Sequence, residues 1–156
     1  MWLAHKIKAD YSIAPATQSH NYQFRPATVG YAHVWIVEFG KILDKTLQAP
    51  YVQSAFNNLS KAPTDNVDGN LIEFQLNEFK FQDYRAYTTL NIRVTNSGEE
   101  IFSKIYSSEG LSQGGDMWMT GPFGMKTATL ESTKSSIDRI LDQFISDINA
   151  SNIAAN

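Results

Sequence analysis

The sequence predicts an α+β domain in the order β-α-β-β-β-α, with an antiparallel-rich sheet and two long helices packed on one face. Two observations support this fold class. Residues Leu71–Ser107 have the pattern of three consecutive antiparallel strands, and amphipathic helical patterns lie on both sides of them. The length of 156 residues favours a single domain over residues 1–156, with frayed ends at 1–4 and 150–156.

The composition is that of an ordinary packed domain. The hydrophobic fraction is 42%, the aromatic fraction is 12%, and the formal net charge is −3. Lys and Arg are scattered without a basic stripe, which disfavours nucleic acid as a partner. The chain has no cysteine, so thiol nucleophiles, thiolate metal sites and disulfides are excluded.

The segment His5–Ile13 alternates between apolar and polar residues, which predicts a half-buried strand. The predicted inward residues are Ile7, Ala9, Tyr11 and Ile13. Pro15 ends this strand, and residues 16–30 are expected to form a long irregular connection. We expect the strand to join the sheet through a crossover that contains the first helix, right-handed if the strand pairs in parallel.

Residues 32–48 are mostly helical in period, although Val34–Val37 could equally be strand. The apolar stripe consists of Trp35, Ile36, Phe39, Ile42, Leu43 and Leu47. Pro50 ends or kinks this helix, and Tyr51–Leu59 is expected to continue as a short second helical turn. Lys61–Asn70 is rich in turn-forming residues and predicts a loop.

The three central strands are predicted at Leu71–Phe81, Ala86–Thr95 and Glu99–Ser107. The apolar residues of the first strand change parity halfway along it, which predicts a β-bulge near Asn77–Glu78. Gly98 supplies the positive φ that a tight hairpin needs. We expect the helices to pack against one set of inward side chains: Ile72, Phe74, Leu90, Ile92, Ile101 and Ile105.

The end of the chain combines an unusual glycine-rich segment with the strongest helical pattern. Gly110–Gly124 is expected to be a loop, because it is rich in glycine and contains Pro122. Lys126–Ile148 is expected to be a helix, because its apolar residues follow the 3.6-residue period.

The sequence offers little catalytic or metal-binding chemistry. The histidines His5, His20 and His33 have no metal-ligand spacing, so no metal and no cofactor are predicted. Gly110–Gly114 fits the letters G-x-S-x-G, with Ser112 as the nucleophile. A loop of more than ten residues is expected between Ser112 and the next helix, which disfavours a nucleophile elbow. We therefore expect no enzymatic activity.

One feature suggests a binding function. The glycine-rich segment carries large apolar residues, and Met and Trp suit adaptable contact surfaces. The predicted partner-binding residues are Met117, Trp118, Met119 and Phe123. Packing over the open end of the core is the simpler explanation for the same residues. An alternative function is a small-ligand or lipid-binding pocket lined by Trp35, Phe39, Phe74 and Trp118.

The order of elements resembles that of small cell-envelope lipoproteins of Gram-negative bacteria. The most similar groups are the YajG-like lipoproteins and the auxiliary lipoproteins of ABC-type transport systems, the PqiC-like group. The resemblance covers residues 5–149. It rests on Trp35 leading a helix with Ile42, Leu43 and Leu47, on the strand Leu71–Leu76, on the hairpin Leu90–Ile105 and on the closing helix Ile137–Phe144.

The resemblance implies a non-enzymatic role with an envelope protein partner in transport or assembly, and lipid as a further possible ligand. It also implies a periplasmic domain that is anchored to the outer membrane by an N-terminal lipid. Residues 1–6 have no charged segment followed by an apolar one, and no cysteine follows them. On this reading the lipid anchor would lie upstream of Trp2; if no signal was removed there, the sequence alone equally allows a cytoplasmic protein.

Overall fold

A computed structural model describes residues 8–24, 35–56, 58–62, 69–82, 85–112 and 114–151, with the backbone alone for 24, 35, 58 and 114–128. The elements in chain order are β1 Lys8–Ile13, α1 Pro15–Gln18, β2 Asn21–Phe24, β3 Trp35–Glu38, α2 Phe39–Leu47, α3 Pro50–Gln53, β4 Asn58–Lys61, β5 Asn70–Gln82, β6 Arg85–Asn96, β7 Glu99–Glu109 and α4 Gly114–Ala150. No helix in these ranges is both long enough and apolar enough to cross a membrane.

Five strands form one sheet in the order β4-β1-β5-β6-β7, and β2 and β3 form a separate antiparallel pair. β1 is parallel to both of its neighbours, whereas β5, β6 and β7 are antiparallel. The predicted α+β class and the three central strands are confirmed. The hairpin between β6 and β7 turns at Ser97 and Gly98, which both have positive φ.

The first third of the chain contains more structure than its sequence pattern suggests. The inward residues Ala9, Tyr11 and Ile13 of β1 are buried as predicted. The irregular connection predicted for residues 16–30 is wrong in part, because α1 and β2 occupy much of it. Each has only four residues, which is too short for a periodic pattern to be recognised. Val34–Val37 follows its strand alternative where it is described, in β3.

The segment after α2 also differs from its prediction. α3 ends at Gln53, and Leu59 is a buried residue of β4 that pairs with Ala9 of β1. The helical turn predicted for Tyr51–Leu59 is therefore wrong beyond its first half. The spacing of Val52, Phe56 and Leu59 resembles a helical period, but the parallel ladder with β1 determines the conformation of Leu59.

The bulge predicted in the first central strand is confirmed. Leu76 pairs with Leu90 and Glu78 with Thr89, so Asn77 is the extra residue. The extra residue shifts the alternation, and Phe79 therefore lies in the core together with Phe74.

A second bulge reverses the faces predicted for β7. Thr95 pairs with Glu100 but Val94 pairs with Phe102, which leaves Ile101 as the extra residue. In a regular ladder Ile101 would lie opposite Val94 and would share its inward face. Instead Ile101 is 40% and Ile105 58% exposed, so their predicted packing against the helices is wrong. Phe102 and the fully buried Tyr106 take the inward positions.

The closing helix is longer than predicted. Lys126–Ile148 is helical, but α4 already begins at Gly114, so the loop predicted for Gly110–Gly124 is wrong from Gly114 onward. Glycine and proline lower helix propensity, and the prediction followed that preference.

The path into α4 requires a strong bend in this helix. The Leu111 N–H donates to Ser135 Oγ at 2.8 Å. Three peptide units separate Leu111 from Gly114 and span at most about 11 Å. A straight helix would place Gly114 about 30 Å from Ser135. α4 therefore bends between these residues, and Pro122 favours a bend because it lacks the N–H of the helical ladder.

The second half of α4 packs on the sheet through an aromatic cluster. The Phe144 ring contacts the rings of Phe74, Phe102 and Tyr106, with centroids 6.4, 5.9 and 6.2 Å away. The Tyr106 hydroxyl donates to Asp147 Oδ2 at 2.7 Å, which fixes the end of the helix to β7.

Toward its middle, α4 approaches the sheet through small polar residues. Ser132 and Ser136 are fully buried and face Ala86 and Thr88 of β6. The Ala86 N–H donates to Ser132 Oγ at 2.9 Å, and Ser132 Oγ donates to Leu111 O at 2.7 Å. The Thr88 and Ser136 hydroxyls lie 2.7 Å apart.

Candidate functional site

The predicted partner-binding residues lie in the first turns of α4. Met117, Trp118 and Met119 precede Pro122 in the chain, and Phe123 follows it. The backbone of this segment is helical rather than a loop, and its side chains lie outside the described residues. Contact with a partner at these four residues stays a prediction.

The four residues of the predicted pocket divide into two pairs. Phe39 and Phe74 are in the hydrophobic core, with 0% and 2% exposure. Phe39 contacts the ring of Phe79 at 5.2 Å, and Phe74 contacts the ring of Tyr11 at 6.5 Å. The side chains of the other two, Trp35 and Trp118, are outside the described residues. A pocket that joins all four stays a prediction.

Ser112 lies closer to the next helix than its sequence predicts. α4 begins at Gly114, so only residue 113 separates Ser112 from the next helix rather than a loop of more than ten residues. The strand before it, β7, is an antiparallel edge strand, whereas the nucleophile elbow belongs to the sheet of an α/β-hydrolase. His5 and His33 lie outside the described residues, within which no three His, Asp or Glu side chains cluster as metal ligands would.

The structure reveals a groove where β1 ends and β5 continues. β1 pairs with β5 only from Asp10, opposite Leu71, to Ile13, opposite Phe74. The Ala14 N–H donates to Phe74 O at 2.9 Å as the last bond of this ladder. Pro15 begins α1 and has no N–H, so the chain turns away from the sheet. Beyond Phe74, no described strand is hydrogen-bonded to β5 on this side, although the Tyr22 ring of β2 packs on Phe79 with centroids 5.4 Å apart.

Two cavities border β5 near the end of β1, and the larger one is lined in part by β1 residues that still pair with β5. One of about 440 Å³ is bordered by Ser12, Pro15, Glu73 and Arg93, and one of about 250 Å³ is bordered by Thr17, His20 and Asn77. Both are lined by Ala14 and Gln75, so they adjoin each other. We call the two cavities together the β5 groove.

The α1 wall of the β5 groove is fixed by close contacts. A Cβ added to Gly40 of α2 would lie 2.0 Å from Gln18 O, so only glycine permits α1 to pack this closely on α2. On the other side, the Leu76 N–H donates to Thr17 Oγ1 at 2.8 Å. The buried Thr17 therefore satisfies one main-chain donor of β5 just before the bulge at Asn77.

The direction of the β5 main chain follows from its pairing. Phe74 C=O accepts from Ala14, so Phe74 directs its main-chain groups away from β6. Phe74 pairs with Ile92 of β6. Phe79 pairs with Thr88, which lies four positions before Ile92 in β6. Main-chain groups alternate along an antiparallel ladder, so Phe79 also directs its N–H and C=O away from β6. They lie on the side where the β5 groove runs.

The polar groups of the β5 groove leave one unsatisfied atom. His20 Nε2 is buried and has no hydrogen-bond partner among the described residues. Arg93, on the far rim, donates from Nε to Glu73 Oε2 at 2.7 Å, so its charge is paired. Sequence reasoning did not find this groove, because its only signal was Pro15, which marks the end of β1 but not the strand that continues past it.

A second polar network fixes α2 to the sheet near β1. The Tyr11 hydroxyl donates to Asp44 Oδ1 at 2.7 Å, and Lys61 Nζ donates to Asp44 Oδ2 at 2.9 Å. Burial, together with the hydrogen bond to Asp44, raises the pKa of Tyr11 to about 12. Burial alone would raise the pKa of Asp44, but its hydrogen bonds outweigh this effect and lower the pKa. The network is structural, because its charges are paired with one another.

No family model matches the chain, and no curated protein sequence matches it. A protein of the DUF330 family from Xanthomonas campestris has a similar crystal structure, with a TM-score of 0.54 and 11% identity over 94% of this chain and 89% of that one. A minor lipoprotein from Acinetobacter baumannii is also similar, with a TM-score of 0.50 and 14% identity over 99% of this chain and 98% of that one.

At these identities the likeness shows a common fold. The resemblance to small lipoproteins that the order of elements predicted is confirmed at this level, since one of the two similar structures is a lipoprotein. A closer relation to the YajG-like or PqiC-like groups stays a prediction.

Proposed function

We propose that this chain is a lipoprotein-like domain of the Gram-negative cell envelope that binds a protein partner and catalyses no reaction. The observation that supports this proposal most is the fold, which matches a minor lipoprotein over 99% of this chain and 98% of the other. A match over both full lengths means that the whole architecture is shared, rather than a single common motif. The partner acts in transport or assembly at the envelope.

The contact surface in this proposal is the first part of α4. Met117, Trp118, Met119 and Phe123 bring flexible thioethers and aromatic rings to a short helical segment. Such side chains adapt to irregular partner surfaces and are enriched at the centres of interfaces. This segment precedes the half of α4 that packs on the sheet around Phe144.

Site-specific photo-crosslinking in intact cells tests the contact surface. A benzophenone amino acid replaces Trp118 in one variant and the exposed Ser146, in the sheet-bound half of α4, in the control. We expect one discrete envelope protein to be crosslinked at position 118 and not at 146. Trp118→Ala in an otherwise native chain should reduce co-purification of that protein at least tenfold, which corresponds to about 1.4 kcal/mol.

Three outcomes would count against the proposal. Identical adducts at positions 118 and 146 would show that the segment makes no specific contact. Adducts with phospholipid alone would favour the lipid-binding function instead. Unchanged co-purification of Trp118→Ala would remove this residue from the interface.

The proposed lipid anchor has a separate test. The genomic sequence before Met1 should encode an apolar segment that ends in small residues and a cysteine, as lipid-modified secretory signals do. Replacement of that cysteine by alanine should release the protein from the outer-membrane fraction into the soluble periplasm. An upstream sequence without such a segment would contradict anchoring and leave the fold unaffected.

A further inference from the structure

We infer that the outer edge of β7 is a contact surface between two copies of this chain, which pair antiparallel through Ser103–Ser107 about a two-fold axis at Ile105. This inference goes beyond the proposed function, because it rests on the described residues of the sheet and not on the first turns of α4 or on the envelope location.

The pairing of the three central strands fixes the direction of the β7 main chain. Because Phe74 directs its main-chain groups away from β6, its partner Ile92 directs its own groups toward Lys104 of β7. The Gly110 N–H donates to Ala86 O at 2.8 Å, which agrees, since both residues lie the same even number of positions from that pair. From Lys104 onward, even-numbered residues of β7 therefore bond to β6, and odd-numbered residues direct their N–H and C=O outward.

The outward groups in the middle of β7 have no partner within the described ranges. β7 is the last strand of its sheet, and no hydrogen bond from another described element reaches the main chain of Ser103, Ile105 or Ser107. Only at Glu109 is the edge occupied, because Arg139 of α4 donates to the C=O of Glu109 at 2.6 Å. The unpaired edge therefore lies between the bulge of β7 and Glu109.

The side chains beside this edge leave it accessible to another strand. Ile105 is 58% exposed on the face opposite the helices, with the hydroxyls of Ser103 and Ser107 on either side of it. Lysine often protects an edge strand by extending into solvent. Lys104 instead lies on the helix face of the sheet, where it donates to Asp147 Oδ2 at 2.9 Å. A row of free main-chain groups beside small or apolar side chains is a template for strand pairing.

The edge is symmetric about Ile105, which identifies a second copy of the chain as its occupant. In an antiparallel pair centred there, Ile105 lies opposite the partner's Ile105, and Ser103 lies opposite the partner's Ser107. A register centred on Lys104 would instead place two ammonium groups opposite each other, which is destabilising. Registers shifted toward the start of β7 include its bulge, and those shifted toward the end include Glu109, whose C=O is already bonded.

The pairing would join two five-stranded sheets into one continuous sheet. The ladder is short, because only the residues from Ser103 to Ser107 take part. Such a contact belongs to the small end of the range of protein interfaces, where association is transient. We therefore expect a reversible equilibrium between monomer and dimer.

Hydrogen exchange of the ¹⁵N-labelled chain at low and high protein concentration tests this inference. Sedimentation at the same concentrations follows the change from monomer to dimer. We expect the amides of Ser103, Ile105 and Ser107 to exchange at least about tenfold more slowly once most of the chain is dimeric, because they then bond to the second copy. The amides of Lys104 and Tyr106 already bond to β6, so their exchange should not change.

Lysine substitutions at two exposed isoleucines localise the contact. Ile105→Lys places two ammonium groups opposite each other on the two-fold axis, whereas Ile101→Lys makes the same change in the bulge, outside the ladder. We expect the dimer to be at least about tenfold weaker for Ile105→Lys and not weakened for Ile101→Lys.

Single cysteines test the register, because the chain has no cysteine of its own. Directly opposite residues that share hydrogen bonds have Cα atoms about 5.5 Å apart, which is within reach of a disulfide. Ile105→Cys should therefore form a linked dimer on mild oxidation. Ser107→Cys lies opposite the partner's Ser103 and should link at least tenfold more slowly.

Several results would overturn the inference. These are a monomeric mass at every concentration, equal weakening by the two lysine variants, or equal linking of the two cysteine variants. Protection of the same three amides by an unrelated threonine–valine peptide, in a chain that stays monomeric, would assign the edge to a foreign strand instead. The exchange measurement uses the native chain, so it decides the question even if a variant does not fold. Failure of the Trp118 crosslink would leave this result unaffected.

Discussion

The two regions where α4 meets the sheet are built from different chemistry. Around Phe144 the contact consists of large rings from β5 and β7, with Phe74 and Tyr106 fully buried beside it. Around Ser132 the contact consists of hydroxyl groups and main chain, and a Cβ on Gly110 would lie only 1.9 Å from Ser132 O. We call these two regions the aromatic end and the polar end.

The difference shows two ways to fix a helix on a sheet. The aromatic end buries large apolar rings, so it contributes more to stability than the polar end does. The polar end contributes little apolar surface, but its hydrogen bonds and close approach allow one arrangement of α4 on β6 and β7. We therefore expect the aromatic end to determine how stable the domain is, and the polar end to determine where α4 lies.

The largest effect should follow from Phe144→Ala. The ring is fully buried and contacts three other aromatic rings, so its loss leaves a cavity. We expect the free energy of unfolding to fall by about 3–5 kcal/mol. Urea unfolding measures this change, with the exposed neighbour Gln143→Ala as the control. A loss below about 1 kcal/mol would contradict the role given to the aromatic end.

Gly110→Ala should have the next largest effect. The added methyl would meet the backbone and the hydroxyl of Ser132 at 1.9 and 2.4 Å, so β7 and α4 would have to separate. We expect a loss of about 2–3 kcal/mol, together with weaker protection of the Ala86 amide against hydrogen exchange. Ser112→Ala, two residues away and exposed, should stay within about 0.5 kcal/mol of the native chain.

Ser132→Ala tests the polar end without adding atoms. It leaves the Ala86 N–H and the Leu111 C=O without their partner. We expect a loss of about 1–3 kcal/mol, since a buried donor without a bond retains its full desolvation cost. Thermal unfolding measures it, and Ser103→Ala on the exposed face of β7 is the matched control. Equal stability of the two variants would show that water replaces the missing hydroxyl.

The smallest effect concerns pH and distinguishes the two ends. Hydrogen bonds from Lys104 and Tyr106 lower the pKa of Asp147 at the aromatic end. A carboxylate with a lowered folded pKa stabilises the fold above its unfolded pKa, about 3.9, and this stabilisation is lost as pH falls through the folded pKa. The Tm difference between the native chain and Asp147→Asn should therefore shrink on acidification from about pH 6 to pH 3.

The matching difference for Ser132→Ala should not change over the same range, because no titratable group takes part in its hydrogen bonds. A Tm difference for Asp147→Asn that is constant with pH would contradict the ionised Asp147 bonds.

The sequence correctly predicted those strands in which apolar and polar residues alternate clearly. β5, β6 and the hairpin at Gly98 are examples, because apolar and polar residues alternate over many positions. In β7 both sets of alternating residues are apolar, with Ile101 and Ile105 on one side and Phe102 and Tyr106 on the other. Alternation could not distinguish the two faces there, and only the register with β6 does so.

The remaining differences have local causes. β2 and β3 have four residues each, fewer than a periodic pattern needs. The first turns of α4 contain Gly121, Pro122 and Gly124, whose propensities favour a loop. The β5 groove depends on a difference in length, since β1 has 6 residues and β5 has 13. No local signal in the sequence indicates which two strands will be neighbours.

The place of β1 in the sheet has a consequence for how the chain folds. β1 lies between β4 and β5, and its residue Asp10 pairs with Leu71, far along the sequence. The meander of β5, β6 and β7 needs only contacts between neighbours in the chain, so it can form early, whereas both partners of β1 lie far along the sequence. The strand that the ribosome makes first is therefore the one that we expect to enter the sheet last.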